Sequence, residues 1–348
     1  MTITFSEFLN NLINNPSFLI VTILITGVIF VNGGTDAPNS IATCVSTRSL
    51  NPKKALLVYI IFSFLGILVM TFINSTVAQT IFNIVNFGTN EHYALVALCA
   101  ALFAIVLWAV IAWIFGIPTS ESHALIAGLS GSAIALQNGI SGINLNEWKK
   151  VLYGLILVNI LGFVSGYLMT KLIEKICKNM DKRKTDKFFT KFQILGSAAM
   201  SFMYGAQDGQ KFMGVFLIGI MLSTGGSSSF SVPIWLIAYC AIVIAAGALV
   251  GGKRIIKTVG MKMVKLEKYQ GASADIASAT CLFGSSLIGI PLSTTHVKAT
   301  TIMGVGASKG FSKVNWSVAK SMVWAWILTF PGCGLLGYFV TQIFVNIF

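Results

Sequence analysis

The sequence predicts an all-α polytopic membrane protein of two inverted-topology repeats, with interrupted helices, half-helix hairpins and roughly 10–12 membrane segments. Three observations predict it. Of 348 residues 55% are hydrophobic and only 10% charged, at a mean hydropathy of +0.81. A soluble chain of this length would carry far more charge on its surface. No Asp, Glu, Lys or Arg lies between Glu7 and Asp36, Lys54 and Glu91, Glu91 and Glu121, Lys150 and Lys171, Lys211 and Lys253, or after Lys320. A spanning helix needs roughly 20 apolar residues, so every window holds at least one. Third, two separate motifs recur at nearly one offset.

Gly116-Ile117-Pro118-Thr119-Ser120-Glu121-Ser122-His123 recurs 173 residues later as Gly289-Ile290-Pro291-Leu292-Ser293-Thr294-Thr295-His296, and the same offset carries Gly131 onto Gly304. Independently, Gly33-Gly34-Thr35-Asp36 matches Gly205-Ala206-Gln207-Asp208 at an offset of 172. A duplicated chain follows, with 1–175 as the first repeat, 176–192 as a basic cytoplasmic linker and 193–348 as the second repeat. In order, the first half reads as spans 18–47 (interrupted), 55–78, 93–115, 117–137 and 151–171. The second reads as 193–222 (interrupted), 232–252, 273–290, 291–308 and 321–346. An odd number of spans per half turns the second half upside down relative to the first. The segments 117–137 and 291–308 are short, and read either as full crossings or as re-entrant half-helices.

The charges agree with that alternation. The net charge is +13, and Lys and Arg gather at 48–54, 171–191, 253–268 and 309–320, as they do in cytoplasmic loops. Both termini then lie outside, with Lys149 and Lys150 as exceptions on the outer side. The surplus is a topology signal, and no nucleic-acid partner is implied. Cys44, Cys99, Cys177, Cys240, Cys281 and Cys333 stand apart with no Cys-x-x-Cys, so neither a zinc site nor a disulfide framework is indicated. Met1–Asn15 shows no basic leader and no small-residue cleavage site, and no cleaved signal peptide is read there.

Four acids sit inside apolar sequence: Asp36, Glu121, Asp208 and Asp275. An ionised carboxylate in a bilayer costs at least about 2.5–3.5 kcal/mol on insertion scales, so such groups usually line an ion or substrate path. Asp36 and Asp208 occupy equivalent repeat positions, which favours function over a structural contact between helices. Asp275 has no equivalent and reads as an interfacial residue. Asn32-Gly33-Gly34-Thr35-Asp36-Ala37-Pro38-Asn39 and Gly205-Ala206-Gln207-Asp208-Gly209-Gln210 both predict unwound backbone. Freed carbonyls with Asp36, Asn39 and Ser40 would make a hard-oxygen cage for a cation such as Na+. Asp208 and Glu121 are further cation-coupling candidates.

The second motif reads as an anion cradle. Pro at a first helical turn, followed by Thr119, Ser120 and Ser122, presents free N–H groups, hydroxyls and the positive end of a helix dipole. Ser293, Thr294 and Thr295 repeat it from the opposite side. One copy alone would be ordinary helix capping; two opposed copies could hold a tetrahedral oxyanion. His123, His296 and Gln207 read as supports behind the cradle.

These motifs resemble those of the PiT family of inorganic phosphate transporters over nearly the whole chain. Members carry one Gly-Ala-Asn-Asp-like signature and one Pro-x-Ser-x-x-His-like motif in each inverted half. The resemblance implies a symporter, not an enzyme, that needs no cofactor and imports phosphate with a coupling cation, H+ or Na+. It places Asp36, Asn39 and Asp208, with Ser120, Ser122, Ser293, Thr294 and Thr295, at the ion and substrate sites. Thr35 replaces the family's Asn, and Pro38 enters the first motif. Lys211 stands where the first half has Asn39 and resembles the Asp-x-x-Lys pattern of some bacterial members. It joins the phosphate candidates and argues against a sodium site in the second half. A short central segment points to a prokaryotic cell membrane. The expected partners are phosphate, the cation and the bilayer, with a homodimer left open.

Other readings explain less. Sulfate or another tetrahedral oxyanion is the alternative cargo. An intramembrane aspartyl protease would also need two buried Asp residues, but its Tyr-Asp, Gly-x-Gly-Asp and Pro-Ala-Leu signatures do not occur here. Gly128-Leu129-Ser130-Gly131 is similar to a rhomboid nucleophile loop, yet small-residue runs are ordinary helix-packing sequence. A passive anion channel would leave buried carboxylates repelling the anion.

Overall fold

A computed structural model describes residues 3–115, 119–224, 230–250 and 263–348, apart from the side chains of residues 113 and 182–184. These residues form helices and no sheet. In order they are α1 (Phe5–Asn14), α2 (Pro16–Ser46), α3 (Pro52–Ile73), α4 (Thr76–Phe82), α5 (Glu91–Phe115) and α6 (Glu121–Gln137). There follow α7 (Leu145–Ile176), α8 (Lys182–Ser223), α9 (Ile234–Val250), α10 (Lys268–Leu287), α11 (Thr294–Ser308) and α12 (Trp316–Ile347). Gly116, Ile117 and Pro118 of the cradle motif, and most of the basic segment 253–268, lie outside the described residues.

The helix starts are written in capping residues. Asn15, Asn51, Asn144 and Asn315 each accept a first-turn N–H of α2, α3, α7 and α12, and Pro16 and Pro52 occupy the first helical position. Helices α2, α3, α5, α7 and α12 are long and apolar enough to cross a bilayer. With 17 and 15 residues, α6 and α11 reach only about 26 and 22 Å at ~1.5 Å per residue. Both fall short of a hydrocarbon core about 30 Å thick and begin at buried caps, Ser120 and Ser293, inside the protein, so both are half-helices. Each is the second arm of a hairpin, behind α5 and α10. Helix α1 adds a short amphipathic element whose Phe8 ring packs against Phe18, Phe216 and Trp235.

One expectation needs correcting. The interruptions fall between α5 and α6 and between α10 and α11, while the two Asp motifs are continuous helix. Helix α2 runs through Asn32–Asn39 with Pro38 inside it, and α8 runs unbroken through Gly205–Lys211. The glycines serve close packing: a Cβ on Gly33 would lie 2.2 Å from the Ile244 carbonyl oxygen of α9, and one on Gly205 2.1 Å from the Ser63 carbonyl oxygen of α3. Within the linker expected at 176–192, the non-helical stretch is short. It covers 177–181, and Lys182 to Lys191 form the first turns of α8.

Packing is reciprocal between the halves. Gly66 of α3 abuts the Phe202 carbonyl of α8, and Gly247 of α9 abuts the Phe30 carbonyl of α2. Likewise α6 lies along α12, and α11 along α7. Each half thus lends its helices to the other by the same contacts. A Cβ at Gly66 or Gly247 would sit 1.9 Å from the facing backbone oxygen, and backbone cannot swing aside as a side chain can. Gly66→Ala and Gly247→Ala should each cost about 1–3 kcal/mol. Melting in detergent should show comparable losses; an unchanged midpoint in either would contradict the crossing described here.

Candidate functional site

The two half-helices begin at the same place. Ser120 Oγ accepts the His123 N–H at 3.2 Å, Ser293 Oγ accepts the His296 N–H at 3.3 Å, and Ser120 Oγ donates to Ser293 Oγ at 2.8 Å. The caps of α6 and α11 therefore touch, and the two helix N-termini open on one point. The N–H groups of residues 121, 122, 294 and 295 have no acceptor within their own helix. Directly behind the caps the His123 and His296 rings meet edge-on at 4.4 Å, with His296 stacked on Trp326 and His123 against Phe330.

Helices α2 and α8 bring one carboxylate to each side of this junction. Asp36 accepts from Asn32 Nδ2 at 2.7 Å, Thr295 Oγ1 at 3.1 Å and Asn39 Nδ2 at 3.3 Å. Asn32 and Asn39 lie four and three residues from Asp36 along α2, so the continuous helix itself assembles much of the cluster. Asn32 Oδ1 and Asn39 Oδ1 are buried without a hydrogen-bond partner. On the other side Lys211 Nζ donates to Asp208 Oδ1 at 2.8 Å, Ser122 Oγ at 2.7 Å and the Leu292 carbonyl at 2.6 Å. Thr294 Oγ1 donates to the second Asp208 oxygen at 3.3 Å. Asp36, Asp208 and Lys211 are all at least 97% buried.

The structure thus gathers Asp36, Asn39, Asp208, Lys211, Ser120, Ser122, Ser293, Thr294 and Thr295. Glu121 opens α6 at the same junction, buried, with Oε1 unpartnered. Thr119 is buried at that tip and makes none of these bonds. Gln207 points the other way: its Nε2 donates to Ser285 Oγ and Ser286 Oγ, both at 2.9 Å, and braces the end of α10 before the α11 tip.

Two expectations fail. The Ser40 hydroxyl turns to Ser201 Oγ at 3.0 Å and does not join Asp36 and Asn39. With α2 continuous, Pro38 leaves only the Gly34 carbonyl without its helical N–H, and the bonded groups at Asp36 are side chains. Asp275 is not interfacial; it is fully buried and paired with Lys298 of α11. The buried acids alone do not point to Lys298. The signal that does is a lysine inside the apolar half-helix 291–308.

Residues 32–337 match the family model described as "Phosphate transporter family". A Bacillus subtilis protein named probable low-affinity inorganic phosphate transporter is 38% identical over 329 residues, covering 92% of this chain and 97% of that one. A Rhizobium meliloti protein of the same name is 36% identical over 310 residues, covering 88% and 90%. A solved structure named "The sodium-dependent phosphate transporter" superposes with a TM-score of 0.86 at 25% identity, covering 96% of this chain and all of that one.

Proposed function

Since the chain belongs to the phosphate transporter family, the PiT family, we propose that it imports inorganic phosphate by symport with a cation, H+ or Na+, at the junction of α6 and α11. It is a multi-pass membrane protein and not an enzyme, so the protease reading falls away. The observation that carries the proposal is the cap-to-cap contact of two helix N-termini beside Asp36 and Asp208, with the Lys211 ammonium next to them.

Phosphate takes the free N–H groups of the two tips, the hydroxyls of Ser120, Ser122, Ser293 and Thr294, and the Lys211 charge. Lys211 reaches it by exchanging Ser122 or the Leu292 carbonyl for a phosphate oxygen. Asp36 and Asp208 flank the anion, and their repulsion must be cancelled. Lys211 does this for Asp208, and a cation bound by Asp36, Asn39 and Thr295 does it for Asp36. Unpartnered amide oxygens on Asn32 and Asn39 support a cation there. Phosphate and cation therefore bind together or not at all, which is coupling. The superposing structure is that of a sodium-dependent transporter by name, which supports a cation in this role. The basic segments 48–54, 171–191, 253–268 and 309–320 favour both termini outside, and the short central segment favours a prokaryotic cell membrane.

Phosphate near neutral pH keeps a proton to donate, whereas sulfate can only accept. Of the three candidate acceptors, Asp36 and Asp208 already hold hydrogen bonds, and Glu121 Oε1, buried and unpartnered at the α6 tip, is the one best placed to take that proton. Polar recognition of this type can discriminate by about 10⁴-fold or more. Labelled phosphate and labelled sulfate offered in parallel should give uptake of phosphate alone, with Glu121→Gln narrowing the gap. Equal uptake of both by the unaltered protein would overturn the assignment.

A further inference from the structure

One helical turn past the site, α2 and α11 converge on a second buried charge. Lys298 follows Thr295 by three residues on α11, and Thr43 follows Ser40 by three on α2. Lys298 Nζ donates to the Ser40 carbonyl and to Thr43 Oγ1, each at 3.1 Å, and pairs with Asp275 Oδ1. Thr43 Oγ1 in turn donates to Asp275 Oδ1 at 2.7 Å. The surroundings of this ammonium repeat those of Lys211: one carboxylate oxygen, one hydroxyl and one backbone carbonyl. Another turn along α2, Thr47 lines a cavity of about 710 Å³ with Glu174, Asp186, Lys268 and Lys309. The cluster thus lies between the candidate site and the end of the protein where Lys268 and Lys309 lie.

Packing alone does not require a charged pair here. The equivalent positions in the first half, 173 residues earlier, are Leu102 and Leu125, and both are buried. Well-packed apolar residues often replace a buried ion pair without loss of stability. Asp275 Oδ2 is also buried without a partner, so the oxygen set holds one more acceptor than the lysine uses. Carboxylate, carbonyl and hydroxyl oxygens suit hard cations. A single carboxylate balances one positive charge, so the fitting ion is monovalent, and a divalent one would leave an uncompensated charge in the bilayer.

We propose that Ser40, Thr43 and Asp275 form a second cation site along the transport path, that its occupant in this chain is the tethered ammonium of Lys298, and that Lys298 thereby closes the site to free sodium. Lys298 is then a determinant of coupling-ion specificity, a consequence that rests on the symporter reading; the site itself does not. Lys298→Ala removes the tether and leaves the oxygens in place. Asp275→Leu/Lys298→Leu restores the leucine pair of the first half and removes the site.

The full-length protein, purified in detergent, is melted in sodium chloride, potassium chloride and choline chloride of equal ionic strength. Lys298→Ala should gain a sodium-specific rise in melting temperature, roughly 3–5 °C over choline, beyond any shift of the unaltered protein. The double leucine variant should show no such gain. A folded Lys298→Ala protein without that extra rise overturns the proposal, and an equal rise in potassium overturns the sodium assignment. If Lys298→Ala unfolds in every salt while the double variant folds, sodium cannot fill the site and the proposal fails. If neither variant folds, the pair is structural and the proposal fails as well. Because the readout is ion binding, loss of phosphate uptake in every form would count against the symporter reading and leave this result standing.

Discussion

Asp36→Asn should reduce coupled phosphate uptake by at least about 100-fold while the protein stays folded. Asp36 receives three hydrogen bonds in a fully buried setting, and bonds to a charged group contribute about 1.5–3 kcal/mol each. Losing the charge weakens them together and removes what draws in the cation. No lysine is paired with Asp36 among the described residues, so the substitution leaves no stranded charge and the melting temperature should hardly move. Asp208→Asn should lose uptake to a similar degree but behave differently in the melt. It strands Lys211 at 1% exposure, and an uncompensated buried charge costs about 3–5 kcal/mol. Uptake by reconstituted vesicles and melting in detergent check both halves of this expectation. Near-normal uptake by Asp36→Asn would remove the cation role assigned to it.

Lys211→Asn should raise the apparent KM for phosphate about tenfold or more, the loss of one charge-assisted hydrogen bond. It should also increase the dependence on external sodium. The first half carries Asp36 and Asn39 three residues apart, and the second half carries Asp208 and Lys211 at the same spacing. The substitution makes the second half resemble the first, with Asp208 Oδ1 and Ser122 Oγ released from the ammonium that now fills the space between them. A free cation can then enter and neutralise Asp208, so the variant should melt higher in sodium than in choline. Unchanged phosphate affinity together with unchanged ion dependence would make Lys211 a structural neutraliser and nothing more.

Much of this architecture is legible in the sequence because charge-free windows and repeated motifs report directly on burial. The spans and the equivalent places of Ser120 and Ser293 at two short segments follow from them; that those segments are half-helices and that the two hydroxyls touch do not. What is not legible depends on partners that local sequence does not name. Gly33 and Gly205 read as helix breakers, since glycine costs about 1 kcal/mol in a helix interior. Here the close approach of α9 and α3 offsets that cost, and both helices continue through the motif. Pro38 is tolerated for the reason proline often is in membrane helices: it frees only the carbonyl of Gly34, which surrounding protein can satisfy. Ser40 reads as a neighbour of Asp36 only on an unwound chain; on a continuous helix it points to Ser201. Asp275 reads as interfacial because its partner lies 23 residues on, across a break between helices. No periodicity within α10 or α11 says that the two side chains meet.

The central claim is that phosphate moves with a cation through one shared site. The most direct measurement is uptake of labelled phosphate into proteoliposomes holding the purified protein, with an inward sodium gradient, an inward proton gradient or neither. Uphill accumulation should appear under one of the imposed gradients, be absent without one, and be lost in Asp36→Asn. Phosphate that only equilibrates, at the same rate under every condition, would mean a passive anion pathway and contradict the coupling of Asp36 to the half-helix junction.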